Sequence, residues 1–216
     1  QNESLATTRA GLRRSSDPRA VRTRERLFLA VQRLSATEET VTVSRLAREA
    51  GVSRAVFYTH FTDVGDLVLR MAEEQYAVIA EAAGTARRSD PHGAMMQAQH
   101  DLVAHVEANR QLYRAALQLP VERGITSRMA EVMAGPIREH IAAVGTLPAG
   151  LRTDVAAAYI AAAATGLLSG WVLGEVDLDA DTLARHLYAL MPPWMHSDQT
   201  TTTMPAPTGS YEGDRK

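Results

Sequence analysis

The sequence predicts an all-α protein: a three-helix N-terminal unit built around a helix-turn-helix, then a larger C-terminal helical domain. Three observations carry this. Apolar residues recur at helical spacing through nearly every segment. No alternating apolar run bounded by turn dipeptides marks a strand. Residues 41–67, VTVSRLAREAGVSRAVFYTHFTDVGDL, read as two short helices joined by a tight turn.

Residues 1–17 lack periodicity and are rich in Ser, Thr and Arg, which reads as a disordered basic arm. Arg9, Arg13 and Arg14 suit phosphates or a minor groove, and suit a merely solvated tail as well. Asp17-Pro18 looks like an N-cap followed by proline at the first helical position. The first helix runs to about 36, with Leu27, Val31 and Leu34 in a stripe and Phe28 beside it. Arg19, Arg22 and Arg26 lie one turn apart near its start, and Arg22 is taken as a candidate DNA contact.

Thr42 caps the second helix, whose Val43, Leu46, Ala47 and Ala50 share one face. Gly51 follows where a helix end wants a left-handed residue. Ser53 caps the third helix, and Val56, Phe57 and Phe61 form its buried side. Arg54, Ala55, Tyr58, Thr59 and His60 remain for the exposed side. They supply the donors, acceptors and methyl groups that base edges and phosphates require. Thr42 and Ser53 add helix N-termini, where backbone amides favour phosphate.

The block Val41-Thr42-Val43, Leu46-Ala47, Ala50-Gly51-Val52-Ser53, Phe57-Tyr58-Thr59-His60-Phe61 and Leu67 resembles the DNA-binding domain of the tetracycline-repressor (TetR) family. The resemblance runs from near Arg22 to Leu67. Asp63-Val64 stands where that family usually has Ser-Lys, and Ala55 where it often has Gly, so no phosphate contact is carried to Val64. The resemblance implies double-stranded DNA as a partner, a small-molecule effector held among the later helices, and a homodimer joined by the last two long helices.

Asp63 caps a fourth helix, with Asp66 answering three residues on. This connecting helix runs to about 83 and shows a wide apolar face; residues 84–91, GTARRSDP, break it. The functional boundary falls near Asp66, giving a helix-turn-helix domain over 18–65 and a ligand-binding and dimerisation domain over 66–195. Further helices are expected over 91–109, 110–119, 125–144 (with a kink at Gly135-Pro136), 151–173 and from Asp179 to about Met191. Residues 196–216 read as a disordered tail.

Composition excludes several classes. There is no Cys, hence no disulfide, thiol catalysis or Cys-based zinc site. Motifs for serine hydrolases, zinc proteases and phosphate loops are absent, and the His residues show no i, i+4 pairing on one face. Neither an enzyme nor a cofactor or metal is expected. The N-terminal residues carry no apolar signal-peptide core, and no clean apolar run of about 18 residues appears, so a cytoplasmic protein without a membrane is expected. Residues 1–60 hold 11 Arg against 6 acids, while residues 61–216 hold 12 basic residues against 19 acids. A basic front suits a polyanion, and an acidic body keeps the rest off it.

For the effector, the bulky or flexible apolar residues Met71, Tyr76, Met95, Tyr113, Leu117, Met133 and Trp171 are candidates, with Gln99 and His100 as polar anchors. Each taken singly fits a plain core equally well. For the dimer, the candidates are Ile160, Ala164 and Leu167 on the Ala-rich helix and Leu183, Leu187 and Leu190 on the last helix. The reading is a transcriptional regulator, a homodimeric repressor that binds a palindromic operator and is released by a small, largely apolar ligand. Two others stay open: a helical ligand- or partner-binding protein whose N-terminal domain is a protein-interaction module, and a regulator that takes no ligand.

Overall fold

A computed structural model describes residues 17–36, 40–118, 124–144 and 147–195. The expected arm with Arg9, Arg13 and Arg14, and the expected tail, lie outside the described residues. Within them the chain forms nine α-helices and no strand: α1 Pro18–Ala36, α2 Val43–Glu49, α3 Arg54–His60, α4 Val64–Ala86, α5 Pro91–Ala108, α6 Arg110–Leu117, α7 Ile125–Val144, α8 Thr153–Leu173 and α9 Ala180–Ala189. A 3₁₀ turn, Pro193–Met195, follows.

The helix starts are set locally. Thr42, Ser53, Asp63, Asp90 and Asp179 each accept a hydrogen bond from the backbone N–H three residues on. At α4 the capping is reciprocal: Asp63 accepts from the Asp66 amide at 2.8 Å, and Asp66 accepts from the Thr62 amide at 2.8 Å. Gly51 sits at φ +62°, the left-handed position that ends α2. The break expected over 84–91 begins later than Gly84, which stays inside α4; the helix ends at Ala86 and α5 starts at Pro91. α7 continues across Pro136.

α1 braces α2 and α3 from behind. Leu27, Val31 and Leu34 share a core with Leu46, Phe57 and Phe61. Arg33 bonds the Glu49 carboxylate at 2.6 Å and its carbonyl at 3.1 Å. Further on, α4 packs on α5, α6 and α7, α7 lies along α8, and α9 lies on α5. The first core continues without interruption from Leu27 into Leu67, Leu112, Trp171 and Leu187. A second, smaller cluster joins Met95, Ile141, Ile160 and Met195. α1 also touches α5 and α6 directly, so the connecting helix is not the sole link between front and body.

α8 is long and apolar enough to cross a membrane by length and composition, but half of that stretch is packed inside the protein as a core helix. Its C-terminal end is held by α6. Arg110 stacks over the Trp171 ring at 4.5 Å and donates to the Trp171 carbonyl, while Arg114 donates to the Val172 carbonyl at 3.0 Å.

Candidate nucleic-acid interface and ligand cavity

α2 and α3 place the reading face. With Phe57 fully buried beneath α3, Arg54, Ala55, Tyr58 and Thr59 point outward. Tyr58 packs edge-on against Phe57, ring centres 5.6 Å apart. Thr42, Ser53 and Arg22 are exposed as well.

His60 is a correction. It is 5 % exposed and lies beside Phe61, so it faces the core rather than a groove. Burial, followed by the positive charge of Arg24, lowers its pKa. Arg26, grouped by spacing with possible phosphate contacts, donates instead to the Gly51 carbonyl at 2.9 Å and fastens the turn to α1.

In the body, a cavity of about 120 Å³ opens among α4, α5, α7, α8 and the segment after α9. α4 contributes Tyr76, Ile79, Ala80 and Ala83, and α5 contributes Met95, Ala98, Gln99 and Leu102. Met133, Pro136, Ile137 and His140 come from α7, Ala164 from α8, and Met191 and Met195 close the list. The lining is apolar except at three side chains. Tyr76 has its pKa raised by burial. Gln99 is buried, and its amide donates only to the Met95 sulfur at 3.5 Å. His140 has its pKa lowered by burial, against a hydrogen bond to the Met195 carbonyl that raises it, with the charge of Arg87 adding to the lowering.

Of the nine residues expected around an effector, the structure brings four together here: Tyr76, Met95, Gln99 and Met133. The other five do not line this cavity. Met71 and Trp171 fill the main core, Trp171 with its indole N–H on the Leu178 carbonyl at 2.7 Å. Tyr113 stands behind Tyr76 and bonds His105 at 3.0 Å. Leu117 packs against the same core, and His100 pairs with Asp181 on α9 at 3.6 Å. Spacing missed His140, Met191 and Met195. Only the return of the chain after α9 brings the two methionines over α7.

Four of the six dimer candidates are turned inward. Ile160, Ala164, Leu183 and Leu187 are each at most 5 % exposed within this one chain, so they serve its own core. Leu167 is partly buried and Leu190 is exposed. What α8 turns outward is Val155, Tyr159, Ala162, Gly166 and Leu173. This is an apolar stripe at spacings of three, four and seven. Tyr159 is 73 % exposed on it.

Residues 39–71 match the family described as bacterial regulatory proteins, tetR family. Over this stretch the chain is similar to TetR-family regulators. The matched stretch takes in α2, the turn, α3 and the capped start of α4, so the TetR signature falls on the geometry just described. Among solved structures, the fold is similar to the fatty acid degradation regulator FadR from Bacillus halodurans. The identity is 15 %, with 84 % of this chain and 97 % of that one covered, at a TM-score of 0.54. It is similar also to Thermus thermophilus FadR, a TetR-family transcriptional repressor in complex with lauroyl-CoA. There the identity is 17 %, with 86 % of this chain and all of that one covered, at a TM-score of 0.57. No curated protein is a significant match to the sequence.

Proposed function

We propose that this protein is a homodimeric transcriptional repressor, with a reader over 18–65 and a body over 66–195, acting in the cytoplasm and released from a palindromic operator by an apolar small molecule. One observation carries the switch. α4 begins at the reader, where Val64 and Leu67 are buried with Phe57 and Phe61, and its later turns line the cavity with Tyr76, Ala80 and Ala83. An occupant of the cavity therefore pushes on the helix that aims the reader. It shifts DNA affinity only by binding the two reader spacings unequally. The apolar lining with four methionines favours a flexible apolar effector. The similar Thermus thermophilus repressor is in complex with lauroyl-CoA, which supports an effector with an acyl chain.

The outward stripe of α8 supports the dimer, since exposed apolar surface of this extent marks a docking face. A two-fold dimer then sets half-sites roughly one helical turn, about 10 bp, apart. The experiment is selection of duplexes from a random pool, followed by titration of the winner at about 50 and about 200 mM salt. A palindrome bound with a steep salt dependence is expected. Recovery of no preferred duplex would leave the protein-interaction module as the better reading.

A further inference from the structure

The rim of the cavity has chemistry that its interior lacks. Along α4, Tyr76, Ala80 and Ala83 follow one another on the lining face, and Arg87 comes next on that face, one turn on. Its guanidinium lies 3.3 Å from His140 Nδ1. Among the described residues it has no carboxylate partner. His140 Nε2 lies 3.0 Å from the Met195 carbonyl oxygen. Together these contacts fix the tautomer: Nε2 carries the proton and donates to the carbonyl, and Nδ1 accepts from Arg87.

The strap over 191–195 thus does two things at once. Its carbonyl takes a hydrogen bond at the rim, and its methionine side chains occupy apolar space inside. That is the pattern of an amphipathic molecule supplied by the chain itself. It leaves the cation unmatched, because a carbonyl is neutral and reaches only the imidazole. The enclosed space, about 120 Å³, is also smaller than the roughly 150 Å³ that admits a benzene ring, so a longer occupant has to take the room of Met195.

We propose that the effector is a flexible apolar chain ending in a carboxylate, which seats its tail among the methionines and its head on Arg87 and His140, displacing the Met195 strap. This deepens the reading of the cavity as the effector site and rests on it. A carboxylate accepts from both groups and gives Arg87 the opposite charge it lacks. An unbranched tail suits walls of unbranched thioether side chains.

The test is calorimetry on the full chain with decanoate, 1-decanol and decanoyl-CoA. Decanoate is expected to bind about tenfold more tightly than the alcohol, as one charge-assisted hydrogen-bonded head implies. Arg87→Gln should bring decanoate to the alcohol's affinity and leave the alcohol unchanged. Met195→Ala, which clears room for the tail, should tighten both. Trp194 neighbours the displaced residue, so decanoate should change tryptophan emission, and Trp194→Phe should abolish that change. Equal affinity for acid and alcohol overturns the proposal. So does a preference for the acid that survives Arg87→Gln, or no heat with millimolar decanoate. Decanoyl-CoA binding more tightly than decanoate, and unaffected by Arg87→Gln, would place the anion site elsewhere and overturn it too. None of these readouts uses DNA. Normal decanoate binding with unchanged operator affinity would sink the switch and leave the head site standing.

Discussion

His105 and Tyr113 are joined side chain to side chain, Nε2 to hydroxyl at 3.0 Å, with their rings edge-on at 86°. Burial pushes the His105 pKa down to about 4. In the unfolded chain it titrates near 6.5. Between those values the unfolded state holds one proton more, so acid favours unfolding. The loss begins as pH falls through 6.5 and is complete near 4, reaching at most about 3 kcal/mol from this one group. Urea unfolding at several pH values should show the midpoint falling over that window. His105→Gln, which keeps a partner for Tyr113 but cannot charge, should show a shallower fall. Parallel curves would remove His105 from the account.

Tyr58 and His60 sit two residues apart and should behave differently. Tyr58→Ala should weaken operator binding by about 1–3 kcal/mol without changing the melt. His60→Ala should lower the melting temperature through the loss of packing beside Phe61. Gel-shift titration beside a thermal melt separates them. Full affinity in Tyr58→Ala would take that side chain off the interface.

Gly51 has little freedom to change. Its φ is +62°, and a Cβ there would stand 2.7 Å from the Arg26 guanidinium that holds the Gly51 carbonyl. Gly51→Ala should cost about 1 kcal/mol or more, read from the urea midpoint. An unchanged midpoint would mean the turn relaxes more easily than its geometry implies.

Tyr159 and Ile160 are adjacent on α8 and face opposite ways. Tyr159→Asp should give folded monomers by sedimentation. Ile160→Asp should unfold the chain, because it buries a charge in the second core. A wild-type monomer at micromolar concentration would end the dimer proposal.

Ala98 lines the cavity from a partly exposed position on α5, so a larger side chain has somewhere to lean. Ala98→Trp should imitate an effector and lower operator affinity although no reading residue has changed. If affinity holds while the melt stays cooperative, filling the cavity does not move the reader.

The reader was legible because its determinants are local. A cap, a left-handed glycine and a capped restart lie within three or four residues of what they control, as Thr42, Gly51 and Asp63 do. The facing of α8 was not. The helix is apolar around most of its circumference, so periodicity cannot say which side meets its own chain, and Ile160 and Ala164, which fit a dimer face by spacing, point in. The cavity was half legible for a different reason. Residues on α4 and α5 share a face by spacing, but Met191 and Met195 reach the site through a turn of the chain that no local rule fixes. Trp171 and Tyr113 looked like pocket walls because large aromatic residues serve a core equally well.

The unbroken core from Leu27 to Leu187 bears on how such a protein can be rebuilt. A shared core predicts that front and back melt together, so stiffening the body should protect α1 to α3 from proteolysis as well. It also limits transplantation. Cutting at the loop before α4 strips Phe57 and Phe61 of Leu67 and Val68, and leaves the face that α1 turns to α5 and α6 wet. A chimera that borrows this reader would have to carry the first turns of α4 along with it. The receiving body would also need its own surface for α1, or the borrowed helices will lack the wall they fold against.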